Sequence, residues 1–283
     1  MADPGGPSPA AETWLAPFRR ACDGIAAQLG ALPPARRAEP FGRGAGGDET
    51  LLVDRVAEDA MVAELEALGR PLTLISEELG EREIAGGGAP VVVLDPIDGS
   101  VNAKRGFPAF ATAVAVADGR TMADVTLALV RDHGTGEEFV AERGRGAWLN
   151  GAPLALPPSA AGRLELLMVE GASPARVERA ARHLGGRVRR LRAVGSLALS
   201  LCHTAAGRAD AMAGLAQGRS VDVAAAQLVA REAGLLVGVP APSALPGTPL
   251  DVTTRFHVLG ARDEETLALL NRALAPSATA ASG

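Results

Sequence analysis

Cysteine and aromatic side chains are scarce in this chain, and their scarcity argues against two broad classes of protein. Two cysteines in 283 residues are too few for the disulfide framework of a small secreted domain. Six phenylalanines, two tryptophans and no tyrosine offer little material for the stacking platforms of single-strand nucleic-acid binders. A formal net charge of −5 gives no support for nucleic-acid binding either. We therefore expect a protein of the reducing cytoplasm that binds no nucleic acid.

Long apolar runs and metal-binding histidine patterns are missing as well. No uninterrupted apolar segment is long enough to span a bilayer, and the N-terminal residues lack the basic start and apolar core of a signal peptide. We expect no membrane contact. The four histidines are scattered without the close spacing of zinc ligands, so packing or surface roles are expected for them.

Apolar residues are plentiful, and 47% hydrophobic content over this length predicts a large core divided between two sub-domains. Residues 12–153 are assigned to an N-terminal α+β sub-domain with the metal site, and residues 154–275 to a C-terminal α/β sub-domain. Residues 1–11 and 276–283 are rich in Ala, Pro, Ser and Gly, which predicts flexible tails.

Hydrophobic periodicity predicts the elements of each sub-domain. The first should hold a mostly antiparallel sheet backed by two helices, with helices at 14–32 and 51–68 and strands at 72–76, 91–94, 110–117, 123–130 and 138–142. The second should hold alternating elements: a strand at 164–169, a helix from 174, a strand at 187–191, and helices at 196–206 and 221–233. The glycine-rich segment 33–50 is expected to be a long loop.

The stretch 91–100, Val-Val-Val-Leu-Asp-Pro-Ile-Asp-Gly-Ser, is the most informative that the chain contains. Four apolar residues predict a buried strand that leads into Asp95 and Asp98. The intervening proline fixes its own φ, which lets both carboxylates point into one small space. Gly99 and Ser100 leave amides free at a predicted helix start, where they can bind an anion. An ordinary surface turn remains the alternative for this motif alone.

Acidic residues elsewhere in the chain extend the motif. Glu77 and Glu78 follow a predicted strand, Asp54 lies in a predicted helix, and Asp222 begins another. Carboxylates that converge in a cleft repel one another, so either some take up protons or divalent cations neutralise them. Magnesium is the expected ion because it is hard, prefers oxygen ligands and keeps several waters.

Together these residues resemble the inositol monophosphatase superfamily, which includes fructose-1,6-bisphosphatases and related magnesium-dependent, lithium-sensitive phosphatases. The resemblance covers residues 14–273 and rests on Glu-Glu, Asp-Pro-Ile-Asp-Gly-Ser and Asp-Val-Ala-Ala in that order, with further segments at 106–108, 144–151 and 195–200. It implies an α/β (α+β) fold, a layered α-β-α-β-α sandwich of the sugar phosphatase type. The activity it implies is magnesium-dependent hydrolysis of phosphate monoesters.

The resemblance also implies ligands for two or three magnesium ions. Glu77, Asp95 and the Ile97 carbonyl would hold one ion, and Asp95, Asp98 and Asp222 a second. Such a pair of ions lowers the pKa of an attacking water and stabilises the departing alkoxide, so no covalent phosphoenzyme is needed.

Three residues are assigned to the attacking water. Ser100 matches the family's threonine or serine beside that water, and with Glu77 it would orient the water and take its proton. Asp54 matches an acidic residue that supports this hydroxyl, and a solvated helix face is the alternative for it. Glu78 is kept as a neighbour that aids metal binding. The loop 33–50 is a candidate lid for a third metal site, with simple flexibility as the alternative.

The substrate is expected to contact Gly99, Ser100, Gly195 and Ser196. Four arginines precede this last pair, and guanidinium groups suit bidentate phosphate binding. Because alternate strand residues face opposite sides, only some could reach one ligand, and the residues assigned to a second phosphate are Arg190 and Arg192. The alternative is that these arginines lie on a solvated strand edge, where their charge prevents pairing with another chain.

Two departures from the inositol-specific pattern bear on the substrate. Val221 stands where many inositol monophosphatases have tryptophan, and Gly214 lies where an acidic contact to the inositol ring is expected. The chain resembles instead the branch that combines fructose-1,6-bisphosphatase and inositol monophosphatase activities. A sugar or inositol phosphate and a homodimer are therefore expected. A histidinol-phosphate or 3′-nucleotide phosphatase, or a non-catalytic metal-binding homologue, are the alternatives.

Overall fold

Two β-sheets alternate with three helical layers in the computed structural model, which describes residues 5–45, 47, 49–157, 163–240 and 244–274. The helices are α1 (Pro9–Ala31), α2 (Pro34–Arg37), α3 (Leu52–Ala67), α4 (Ser100–Arg105), α5 (Pro174–Leu184), α6 (Leu197–Ala205), α7 (Ser220–Glu232) and α8 (Glu264–Leu274). The first ten strands are β1 (Pro40–Arg43), β2 (Glu49–Leu51), β3 (Leu72–Ser76), β4 (Gly80–Ile84), β5 (Val91–Asp98), β6 (Ala111–Ala117), β7 (Val125–Asp132), β8 (Glu138–Glu142), β9 (Gly146–Leu149) and β10 (Ala152–Leu154). The remaining strands are β11 (Leu164–Glu170), β12 (Val188–Arg192), β13 (Ala211–Gly214), β14 (Gly218–Arg219), β15 (Leu236–Gly238), β16 (Arg255–Phe256) and β17 (Leu259–Ala261).

The larger sheet has eight strands in the order β10-β9-β8-β7-β6-β5-β3-β4. Its neighbours pair antiparallel, apart from the parallel pair β3 and β5. The five-stranded sheet has the order β12-β11-β13-β17-β15, with β11 parallel to both of its neighbours. The prediction of a mostly antiparallel first sheet is thus confirmed.

Three hydrophobic clusters separate the layers. Helices α1 and α3 bury Phe18 and Met61 against one face of the larger sheet. Helices α6 and α7 lie between the two sheets, and their cluster contains Val93 from β5 and Met212 from β13. Helices α5 and α8 cover the outer face of the smaller sheet. The order of layers is α-β-α-β-α, as the family resemblance implied.

Strand β5 shows how this packing positions a functional residue. Val92 and Leu94 face the α1/α3 cluster, whereas Val91 and Val93 face the cluster of α6 and α7. Side chains alternate along a strand, so Asp95 continues the face of Val93. The apolar strand therefore directs its first carboxylate toward the central helices.

Several elements differ from the predictions. The Ser8 hydroxyl caps α1, which begins at Pro9, so residues 9–11 belong to a helix and not to a tail. The segment 33–50 contains α2 and the antiparallel pair β1 and β2 in place of a simple loop. The predictions for residues 276–283 lie outside the described residues. The larger sheet ends at Leu154 and the smaller begins at Leu164, and the division into two sub-domains near residue 153 stays a prediction. No helix in the described ranges is long and apolar enough to cross a membrane.

Candidate active site

Strand register brings Glu77 and Asp95 together. Ile75 pairs with Val93 in the parallel ladder of β3 and β5, and the Glu77 amide donates to the Leu94 carbonyl at 3.3 Å. Ile75 faces the central helices, so Glu77, two residues on, continues the same face. The two carboxylates therefore leave the carboxyl ends of adjacent parallel strands on one side of the sheet.

The turn after β5 is held by its own side chains. The Ile97 amide donates to Asp95 Oδ1 at 3.1 Å, and the Ser100 hydroxyl donates to the Ile97 carbonyl at 3.0 Å. Gly99 has a φ of 96°, and a Cβ there would lie 3.1 Å from the carbonyl oxygens of Ala109 and Gly195. Only glycine makes this left-handed turn without strain, which explains the Asp-Gly of the motif. The Ile97 carbonyl thus has a local hydrogen bond in addition to its predicted role as a metal ligand.

Asp98 connects the larger sheet to helix α6. Its Oδ2 accepts hydrogen bonds from the Ser196 hydroxyl at 2.5 Å and from the Ala198 amide at 2.6 Å, both at the start of α6. Burial raises the pKa of Asp98 to about 7, although the Ser196 bond lowers it, and repulsion by Asp222 raises it further. Ser196 was predicted to contact substrate, but its hydroxyl holds Asp98.

Helix α7 supplies the acidic group from the other half of the chain. Asp222 lies in its first turn and accepts a hydrogen bond from the Arg219 amide at 2.8 Å. The Arg219 side chain forms an ion pair with Glu77 and is only 4% exposed. Burial lowers the pKa of Arg219, while Asp222 raises it. Arg219 was not identified from the sequence, because a lone arginine before a helix resembles an ordinary polar turn.

Carboxylate oxygens of Glu77, Asp95 and Asp222 lie within 4.8 Å of one another. Burial raises the pKa of both Glu77 and Asp95 well above the usual range, and repulsion by neighbouring acids, Asp98 among them, adds to it. Carboxylates that close together are stabilised by a hard divalent cation, for which all the donors are suitable oxygens. These residues therefore fit a metal site of the predicted kind.

Asp54 is buried in the first turn of α3 and accepts a hydrogen bond from the Leu51 amide at 3.0 Å. Burial raises its pKa to about 6, whereas the Leu51 amide and the nearby Ser100 hydroxyl lower it. A buried carboxyl close to Ser100 does not fit the alternative of a solvated helix face. The structure places Asp54 near the Ser100 hydroxyl that it was predicted to support.

Glu78 is turned toward a different element. It accepts a hydrogen bond from the Thr50 hydroxyl in β2, and its carbonyl accepts one from the Ala45 amide. Burial raises the pKa of Glu78. The pair β1 and β2 is therefore fastened beside the acidic cluster. A third metal site there remains a prediction, and residues 46 and 48 of that segment lie outside the described residues.

A cleft of about 600 Å³ opens beside Asp98 and Asp222. Its lining residues are Asp98, Val101, Asn102, Phe107, Glu170, Gly171, Ala172, Ala193, Val194, Gly195, Leu197, Ala216, Gln217, Gly218 and Asp222. No cationic side chain is among these described residues. Arg190 and Arg192 lie on the edge strand β12 and line another depression, where Arg190 pairs with Glu165 at 3.1 Å. The structure does not bring these two arginines to the cleft. Their positions fit the alternative of a solvated strand edge better than the binding of a second phosphate.

Glu170, at the end of β11, is a cleft residue that sequence reasoning missed. Its carboxylate accepts hydrogen bonds from the amides of Val194 and Gly195 at 2.9 Å and from the Ser200 hydroxyl at 2.6 Å. The Gly195 amide is therefore engaged by Glu170, which leaves that amide unavailable to a substrate. An acidic residue at the end of an apolar strand, followed by glycine, was the signal that could have identified it.

The layered fold carries its buried acidic cluster beside an open cleft, an arrangement that fits metal-assisted hydrolysis of phosphate esters. Residues 25–278 match the family model of the inositol monophosphatase family. A fructose-1,6-bisphosphatase/inositol-1-monophosphatase of Methanothermobacter thermautotrophicus is 39% identical over 206 residues, covering 69% of this chain and 72% of that protein. A Nus factor SuhB of Pseudomonas aeruginosa is 37% identical over 198 residues, covering 65% and 70%.

A solved structure described as an inositol monophosphatase-fructose 1,6-bisphosphatase superposes with a TM-score of 0.80 at 27% identity, covering 92% of this chain and 99% of that one. The chain belongs to the inositol monophosphatase family, and it is a phosphoric monoester hydrolase of that family. The predicted family and enzyme class are confirmed.

Proposed function

We propose that this chain hydrolyses sugar or inositol phosphate monoesters with magnesium as its cofactor. The observation that carries the proposal is the meeting of Glu77, Asp95 and Asp222 from three separate parts of the chain. We assign Glu77 and Asp95, with the Ile97 carbonyl, to one ion, and Asp95, Asp98 and Asp222 to a second. Bound magnesium would neutralise these carboxylates and lower the pKa of a coordinated water.

The chain's own residues have distinct roles in this proposal. Glu77 accepts the proton of the attacking water, and the Ser100 hydroxyl orients that water. Asp54 lies close to Ser100 and keeps that hydroxyl in position. The amides of Gly99 and Ser100, at the start of α4, bind the phosphate oxygens. Asp98 is kept in place by Ser196 and the Ala198 amide.

The cleft wall bears on the alcohol that leaves. Val101 and Phe107 are more than half exposed and provide apolar surface, while Asn102 and Gln217 provide neutral polar groups. Such a lining suits an uncharged polyol next to a single phosphate. A second phosphate would lack a cation among the described lining residues. We therefore place inositol and sugar monophosphates ahead of bisphosphates, although the similar proteins are named for both activities.

The test is magnesium-dependent phosphate release over a panel that contains inositol 1-phosphate, fructose 1,6-bisphosphate, histidinol phosphate and a nucleoside 3′-phosphate. Asp98→Asn should fold normally, because the amide is isosteric with a carboxyl whose pKa is already near 7. It should lose nearly all activity. Asp59→Asn, at an exposed ion pair on α3, is the control and should keep full activity. Full turnover in Asp98→Asn would contradict the assigned site.

A non-catalytic binding role is the second candidate, because one similar protein is named as a Nus factor. The presence of four buried or half-buried acids, Glu77, Asp95, Asp98 and Asp222, argues against it. Carboxylates that repel one another destabilise a fold unless a cation neutralises them. A protein that binds magnesium but releases phosphate from no member of the panel would favour this candidate. We also propose a homodimer in the cytoplasm, where the buried thiols of Cys22 and Cys202 would remain reduced.

A further inference from the structure

Arg219 is the least expected residue of the acidic cluster, because a buried cation occupies a place beside the proposed metal ligands. Its guanidinium pairs with Glu77, and the two side chains are 4% and 21% exposed. Removing two charges from water costs several kcal/mol per ion unless the pair is well satisfied. Arg219 nevertheless lies next to Glu77, the carboxylate that we assign to the attacking water and to the metal.

The backbone fixes where this guanidinium can be. Arg219 belongs to the short strand β14, which pairs with β16, and it immediately precedes α7. Its amide donates to Asp222, and Ser220 is fastened to Asp251 by bonds from both residues. Arg219 and the proposed metal ligand Asp222 are therefore both held at the start of α7. Arg219 pairs with Glu77, which lies 142 residues earlier in the chain.

Glu77 cannot bind the Arg219 guanidinium and a metal ion equally well at the same time. A carboxylate oxygen engaged by a guanidinium has fewer lone pairs for a metal, and a fixed positive charge nearby repels a divalent cation. Without a partner, however, Glu77 would face the repulsion of its acidic neighbours alone: Asp222, Glu78, Asp54 and Asp98.

We propose that Arg219 is a tethered counter-cation: it neutralises Glu77 when no metal is bound and competes with magnesium for that carboxylate, which weakens metal binding. Arg219 acts through Glu77, so it is a positioning residue. The inference rests on the proposed metal site. It goes beyond that site because it assigns to this arginine the setting of the metal affinity.

The test compares wild type with Arg219→Gln and Arg219→Lys by titration calorimetry with magnesium chloride, after the protein has been freed of metal by chelation. Arg219→Gln should bind magnesium about tenfold more tightly, the size expected from losing one charge-assisted bond that opposes binding. Arg219→Lys keeps the charge and should stay close to wild type. Arg208→Gln breaks an ion pair with Glu137 outside the cleft and should leave the dissociation constant unchanged.

A second readout separates competition from structural damage. Freed of metal, Arg219→Gln should unfold at a lower temperature than wild type, and saturating magnesium should remove that difference. General damage would weaken both the fold and the binding. Unchanged or weaker magnesium binding by Arg219→Gln overturns the proposed competition, while the metal site stands. If wild type itself gives no binding heat and no stabilisation with magnesium, the proposed function fails first.

Discussion

Ser196 shows how one residue serves both fold and site. Its hydroxyl accepts the Leu199 amide at 3.2 Å as the cap of α6 and donates to Asp98 at 2.5 Å. The donated bond keeps the pKa of Asp98 lower than burial alone would set it. The Ser196 hydroxyl therefore contacts a carboxylate of the cluster, and its contact with substrate stays a prediction.

Ser196→Ala should reduce the free energy of unfolding by about 1–3 kcal/mol, because a cap and a charge-assisted bond are lost together. The pKa of Asp98 should rise above about 7, so magnesium binding should weaken at neutral pH and recover as pH increases. Urea unfolding and calorimetry at two pH values measure these effects. Ser173→Ala is the matched control, because Ser173 precedes α5 without a side-chain cap bond. Equal losses in the two variants would contradict the assigned role.

At the residue scale, the sequence was most informative where ligands lie next to each other along the chain. Asp95 and Asp98 lie in the last part of a buried strand and Glu77 directly follows another, so their positions in the sequence indicated that their carboxylates would meet. Glu170 and Arg219 were missed because their partners are distant: Glu170 contacts residues 194–200, and Arg219 pairs with a residue 142 positions away. Only the folded chain shows that these two belong to the site.

At the element scale, the segment between β12 and α6 forms one wall of the cleft and is fastened by a residue from β11. Glu170 accepts two backbone amides of this segment and the Ser200 hydroxyl of α6. Burial raises the pKa of Glu170, while these bonds lower it. The same segment ends at Ser196, so its position affects both the cleft wall and Asp98.

Glu170→Gln should loosen this wall, because the amide nitrogen of glutamine would face the donor of either Val194 or Gly195. We expect the free energy of unfolding to fall by about 1–3 kcal/mol and KM to rise more than kcat falls. Glu165→Gln, on the same strand but 71% exposed, should change neither. Steady-state kinetics and denaturant unfolding provide the measurements. An unchanged KM in Glu170→Gln would show that the wall does not depend on this carboxylate.

Elements with a clear apolar pattern were predicted well, and elements without one were missed. Strands β3 and β8 have the predicted bounds, and α3 runs from 52 to 67 against a predicted 51–68. Strand β13 has the sequence Ala-Met-Ala-Gly, which lacks the branched and aromatic residues that indicate a strand. Strand β4 carries three exposed residues in its middle and is strand only because β3 pairs with it. Tertiary pairing, which sequence periodicity does not report, decides such segments.

At the scale of the whole molecule, the acidic cluster makes stability depend on pH and on metal. The pKa values of Asp54 and Asp98 in the folded state are about 6 and about 7, above the ordinary value of 3.8. The folded chain therefore holds protons that the unfolded chain has lost, so this stabilising contribution is complete below about pH 4 and is lost as pH rises through 6 and 7. Asp95 acts in the same direction.

The midpoint temperature of thermal unfolding of the metal-free protein should accordingly decrease as the pH rises from about 6.5 to about 8.5. Buried His133 and His203 have lowered pKa values and oppose this trend only below the ordinary value of 6.5. Saturating magnesium should flatten the curve, because ionised carboxylates then have a cation. Calorimetric scans with magnesium and with a chelator make the comparison. A metal-free midpoint that stays constant over this range would contradict the raised pKa values.

The meeting of acidic residues from both halves of the chain has a consequence for the lifetime of the protein in a cell. Because acids from both halves of the chain lie within 4.8 Å of one another, the ion proposed to bind there would link those halves. Ligands that bind only the native state reduce the fraction of open molecules in proportion to their occupancy. Proteases recognise open molecules, so scarcity of the ion should shorten the survival of this protein as well as slow its chemistry.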